Sequence, residues 1–306
     1  MKDYQPEGTI VCTEENKKYM SSEVSLSLAH SLEKTLEAVV IMCDSEHNLV
    51  VDLGVMKGVI PRDEGALGIK EGTTRDIALI SRVGRPVCFI VTNFATDQNG
   101  NKYAVLSRRA AQHKCLDYIL SNKHVGDIID ARITHLESFG AFCDIGCGNI
   151  ALLPIDAISV SRISHPKDRF CVGDSIKAII KNIDSDKKIT LSHKELLGTW
   201  AQNCASFSQG QTVSGIVRSI EDYGIFVELT PNLAGLAEPK ENVRVGQCAS
   251  VYIKSIIPEK MKIKLIIIDS FDNPIENTYK YFYDNEHIDE FVYSPKESTK
   301  QICSYF

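Results

Sequence analysis

Four aromatic side chains stand in two matched pairs along the sequence, Phe139 with Phe142 and Tyr223 with Phe226. A glycine, Gly140 or Gly224, follows the first ring of each pair, a residue that lets a chain turn tightly. With the two-residue period of a strand, Ala141, Cys143 and Ile145 point one way, and Phe142 and Asp144 the other. Ile225, Val227 and Leu229 likewise oppose Phe226 and Glu228. The apolar sets should face a core, which leaves the rings on a polar face beside a carboxylate. Two flat rings on such a face can stack unpaired nucleobases, a contact worth about 1–3 kcal/mol per base. The alternative is that one ring of each pair plugs the end of a barrel; the recurrence of the pair favours stacking.

Charge follows the same pattern. Ile263 and Leu265 alternate with Lys262 and Lys264, and Lys188 precedes Ile189 and Leu191, so these lysines should point outward. The fifth strand of each barrel is expected to close on the first, so that its outer rim can approach the phosphates of a bound strand. The segment 159–170 is rich in serine and locally basic, and its Arg162 and His165 are candidate phosphate contacts; the alternative is a solvated connector punctuated by Pro166. No P-loop, G-x-S-x-G, H-E-x-x-H or dinucleotide fingerprint occurs, so no enzyme chemistry and no cofactor are expected. A zinc site drawn from Cys143, Cys147, Cys171 and His165 lacks the usual ligand spacing, and no metal is expected.

The elements that position these residues recur three times. The middle copy runs through 125–133, 139–145, 151–154, 172–180 and 188–192, and the third through 210–217, 223–229, 235–239, 245–253 and 262–265. A divergent first copy runs through 36–40, 49–54, 58–61, 83–91 and 104–109; there His47 and Val50 replace the two aromatics and Tyr103 replaces Lys188. Each copy is five β-rich runs separated by Gly, Pro, Asn and Asp, the pattern of a small closed barrel. The predicted fold is mainly β, three tandem five-stranded OB-fold barrels with short connecting helices. Helices are expected over 22–35, 109–120 and 194–200, while 75–83 is ambiguous between helix and strand. The expected domains are an N-terminal extension (1–35), a divergent barrel with a linker helix (36–122), two further barrels (123–205 and 206–269) and an aromatic-rich tail (270–306).

Composition sets the outer bounds. The chain has 306 residues, 43% hydrophobic and 24% charged, an ordinary globular balance. Its net charge of −6 argues against a protein that coats polyanions, so nucleic-acid contact must come from local faces. No apolar run approaches a membrane span and the first residues carry no signal core, so a cytoplasmic protein is expected. The 10 cysteines are mostly isolated, which reads as reduced thiols.

These motifs resemble the S1 domains of the bacterial ribosomal protein S1 family. The resemblance rests on Phe139-Gly140-Ala141-Phe142, Tyr223-Gly224-Ile225-Phe226-Val227, the Val-Gly before each fourth strand, and Leu191-Ser192 with its counterpart Leu106-Ser107. It implies single-stranded RNA binding, with mRNA and the small ribosomal subunit as partners, and neither a membrane nor a small-molecule substrate. Ribosomal S1 proteins carry more repeats, so the chain looks like a short homologue. The RNA-contacting positions that the family implies fall on Phe139, Phe142, Asp184 and Lys188, and on Tyr223, Phe226 and Lys262. A histidine common after the third strand is replaced by Pro154 and Glu238, and the Asp position of the third copy falls at Ile257 or Pro258. An RNA regulator or decay factor off the ribosome, or a protein-interaction scaffold, are the alternatives. The acidic tail is expected to pack on the last barrel or on a partner.

Overall fold

The computed structural model describes residues 4–272 and 279–306. Two helices, α1 (Glu14–Tyr19) and α2 (Glu23–Ser31), precede the first strand, where a single helix was expected. Met20 caps the end of the first, and Ser22 starts the second: its hydroxyl accepts the Ser25 N–H at 3.1 Å, satisfying a donor that the first turn cannot.

Among the described residues, fifteen of the strands close into three five-stranded barrels. The first is built from β1 (Leu36–Cys43), β2 (Leu49–Asp52), β3 (Lys57–Ile60), β4 (Pro86–Thr96) and β5 (Lys102–Ser107). The second contains β6 (Ile128–Glu137), β7 (Gly140–Asp144), β8 (Ile150–Pro154), β9 (Ser175–Ile183) and β10 (Ile189–Ser192). The third contains β11 (Thr212–Glu221), β12 (Gly224–Thr230), β13 (Leu233–Ala237), β14 (Cys248–Ile257) and β15 (Lys262–Phe271). The ambiguous stretch contains the short helix α3 (Ile77–Ile80), and α4 (Arg108–Asn122) follows the first barrel. Ser107 caps α4, accepting the Ala110 N–H at 2.8 Å. The segment expected to be helical over 194–200 is a 3-10 turn over Lys194–Leu197, then α5 (Trp200–Cys204).

Strand order corrects one expectation. The fourth strand, not the fifth, closes on the first: β4 pairs with β1 and β14 with β11, both antiparallel. The fifth strand is the returning arm of a hairpin with the fourth, and its other edge meets the third in parallel, Leu236 opposite Lys264. Lys262 and Lys264 therefore rim the β13 side of the barrel. Closure leaves no free sheet edge.

The chain divides into two compact units that do not follow the repeats. One holds residues 1–123 with 130–132 and 144–150; the other holds 124–129, 133–143 and 151–306. The core of the first barrel is aliphatic around Phe89, with Leu26 and Ala29 of α2 packed into it. In the second unit Val227, Val251, Ile253 and Leu265 pack with Trp200 and with Ile288, Phe291 and Tyr293 of the tail. Each such side chain contributes roughly 1.5–3 kcal/mol of burial. The tail adds a ribbon of β16 (Glu290–Val292) and β17 (Cys303–Tyr305). Tyr293 donates its hydroxyl to the Asn232 carbonyl at 2.5 Å, and the Phe282 N–H donates to the Leu196 carbonyl at 2.9 Å. The tail thus packs on segments flanking both later barrels, not on the last alone. Among the described residues no helix is long and apolar enough to cross a membrane.

Candidate nucleic-acid interface

Strands β7 and β12 carry the aromatic pairs. Ala141 and Cys143, like Ile225 and Val227, are buried, so Phe142 and Phe226 stand on the opposite phase, half-buried. Phe139 and Tyr223 precede the strands and are open, 54% and 67% exposed. The rings in each pair meet edge to face, with centroids 5.9 Å apart at 89° in the middle barrel and 6.2 Å apart at 88° in the third. This is the arrangement favoured by the ring quadrupole. Neither open ring plugs a barrel.

The glycine between the rings serves the neighbouring strand. A Cβ at Gly140 would lie 2.5 Å from the Leu153 carbonyl oxygen, and one at Gly224 would lie 2.6 Å from that of Ala237. Any side chain there would push β8 or β13 away and tilt the platform.

His135 extends the middle platform, its ring stacked on Phe142 at 29° with centroids 6.3 Å apart and its Nε2 bonded to Glu137 at 2.7 Å. Alternation along β6 did not single it out, because the inward phase slips between Ile133 and Leu136.

Two carboxylates expected on the open face are buried instead. Asp144 accepts backbone N–H groups from Glu7 at 2.7 Å, Gly146 at 2.8 Å and Gly148 at 3.0 Å. Burial, together with the nearby Glu7 carboxylate, pushes its pKa up to about 7. Glu228 is held by two guanidinium groups: Arg218 at 2.8 Å, and Arg169, whose Nη1 lies at 2.7 Å and whose Nη2 reaches the other oxygen. Arg169, read from sequence as part of a basic solvated loop, is itself buried. A charge leaves water only when paired, and these two found partners far along the chain.

The remaining candidates separate. Lys188, Lys262 and Lys264 are exposed; Lys188 Nζ lies 3.4 Å from Asp186. Asp184 shapes the β9–β10 turn, its carboxylate accepting the Lys188 N–H at 2.8 Å. His165 caps the short turn Pro166–Asp168, accepting the Lys167 N–H at 3.1 Å. Arg162 is exposed and lies beside Tyr223 and Phe226 in a groove of about 600 Å³. In the first barrel, the positions of the paired rings hold His47 and a buried Val50, while Val39, Ile41 and Met42 of β1 are exposed.

Residues 123–194, which hold the middle platform, match the S1 RNA binding domain family. Those residues form an S1 domain. The chain is similar to small ribosomal subunit protein bS1 of Staphylococcus aureus (strain COL), 30% identical over 211 residues that cover 62% of this chain and 54% of that protein. The bS1 protein of Staphylococcus saprophyticus is 29% identical over 212 residues. The chain spans about half the length of these curated relatives. Among solved structures, a multidomain protein with nucleic acid binding domains from Streptococcus pneumoniae aligns over 80% of this chain and 76% of its own, at 15% identity and a TM-score of 0.26.

Proposed function

We propose that this S1-domain protein binds single-stranded RNA without catalysing a reaction on it, and that it handles mRNA at the small ribosomal subunit. The observation that carries this reading is the duplicated platform, an open ring just before the second strand set perpendicular to a half-buried one on that strand, in two barrels. Bases stack on Phe139 and Phe142, and on Tyr223 and Phe226, while Lys188, Lys262 and Lys264 supply charge along the fifth strands. The near balance of charge in both barrels suits sequence-tolerant binding with a shallow salt dependence. The relatives named as ribosomal subunit proteins support the translational setting.

A fluorescence titration with an unstructured RNA oligonucleotide tests the reading. Replacing both Phe142 and Phe226 by Ala should weaken binding at least tenfold, about 1.4 kcal/mol; unchanged affinity would reject it. Co-sedimentation with small subunits separates the ribosomal setting from a regulator or decay factor acting elsewhere. A second reading applies to the first barrel. Its missing rings and exposed Val39, Ile41 and Met42 favour contact with a protein over RNA.

A further inference from the structure

The segment between β8 and β9 leaves the barrel that encodes it and is built into the next one. The Val160 N–H donates to the Asn232 side chain at 3.0 Å, and the Ser161 N–H donates to the Pro231 carbonyl at 3.1 Å. Farther along, Arg169 reaches Glu228 on β12, and its guanidinium also contacts the Ser159 hydroxyl at 3.3 Å. Backbone bonds at one end and a buried ion pair at the other hold the segment against the third barrel.

Held there, Ser161 to Ser164 form one wall of a groove whose opposite wall is Arg218, Ser219, Tyr223 and Phe226. The positive charges in this region are not equivalent. Arg169 and Arg218 are both committed to Glu228. Arg162 is exposed, with no ion-pair partner among the described residues. A guanidinium left free at the wall of a groove that also holds two stackable rings matches one nucleotide unit, base on the rings and phosphate on the fork.

We propose that the nucleotide site of the third barrel is completed by the middle barrel, with Arg162 binding a phosphate of the RNA strand whose base stacks on Tyr223 and Phe226. This rests on the RNA reading above and adds to it that the platform on β12 is one half of a site, with its phosphate contact lent by the β8–β9 segment. The platform on β7 draws its charge from its own Lys188 instead.

The test uses the full chain with Phe139 and Phe142 replaced by Ala, so that remaining affinity for an unstructured oligouridine reports the third barrel. Adding Arg162→Ala should lower affinity about tenfold at low salt and make the slope of log K against log salt shallower by about 0.7, the loss of one phosphate contact on a single strand. Arg162→Lys should keep the slope. Arg162 is exposed, so neither change should disturb folding. If Arg162→Ala leaves affinity and slope unchanged while Tyr223→Ala weakens binding, the shared site is rejected and RNA binding stands. If neither variant affects binding, both ideas fall.

Discussion

Arg169 and Glu228 face each other in a two-point ion pair from which water is excluded, the side chains 1% and 4% exposed. Arg218 grips the same carboxylate from the neighbouring strand. Removing Glu228 would leave two guanidinium groups facing each other without an anion, a loss of roughly 3–5 kcal/mol for a buried pair broken on one side. Glu228→Ala should therefore lower the urea midpoint well below that of Arg169→Ala, which leaves Glu228 its second arginine. Trp200, the one tryptophan of the chain and buried in the same unit, reports the transition by fluorescence.

Binding and stability should separate on the open rings. Phe139 and Tyr223 contribute little to any core, so replacing either by Ala should move stability by no more than about 0.5 kcal/mol. RNA affinity should fall by about 1–3 kcal/mol for each base that loses its platform. His135→Ala should weaken the middle platform alone, because only there does an imidazole lie against the inner ring. Calorimetry and anisotropy on the same samples check both halves.

Local pattern and non-local pairing divide what the sequence discloses. Alternation along 139–145 and 223–229 placed both ring pairs on the outer phase, since strand geometry sets that phase regardless of context. The same alternation put Asp144 and Glu228 in water, because a two-residue period says which face a side chain joins but not what covers that face. Arg169 covers Glu228 from 59 positions away, and Glu7 approaches Asp144 from 137 away. Arg162 could be read as a candidate phosphate contact, but not as a neighbour of Tyr223, because that place depends on bonds between segments remote in sequence. Strand order escaped too. Five short runs imply closure, but whether the fourth or the fifth meets the first depends on the hairpin between them.

Asp184 connects the fold to the proposed interface through Lys188. Its Oδ1 accepts the Lys188 N–H at 2.8 Å while its own N–H donates to the Lys188 carbonyl at 3.0 Å, closing the turn that presents the lysine. Asp97 closes the matching hairpin of the first barrel in the same way with Asn101. Asp184→Ala should cost about 1 kcal/mol of stability and reduce RNA affinity by loosening Lys188. Asp184→Asn, which retains an acceptor, should restore both. A loss of affinity in the Asn variant with stability intact would instead indicate direct contact between the carboxylate and RNA.

His193 should make the stability of the second unit depend on pH. Its imidazole is buried between the Ile158 carbonyl, 3.0 Å from Nδ1, and the Tyr281 hydroxyl, 3.3 Å from Nε2. A carbonyl can only accept, so Nδ1 carries the proton and Nε2 receives the phenol hydrogen. Phe170 packs edge-on at 5.4 Å. Burial lowers the pKa to about 4, from an ordinary 6.5. Between those values the unfolded chain binds a proton that the folded chain refuses. The stabilisation is therefore complete above pH 6.5 and is lost as pH falls towards 4, a span on the order of 3 kcal/mol. His193→Gln should be less stable at pH 7, where two hydrogen bonds are weakened, yet should show a flatter decline from pH 6.5 to 4.5. Urea midpoints measured across that interval decide the matter: parallel declines in the two proteins would mean that the imidazole is not held neutral.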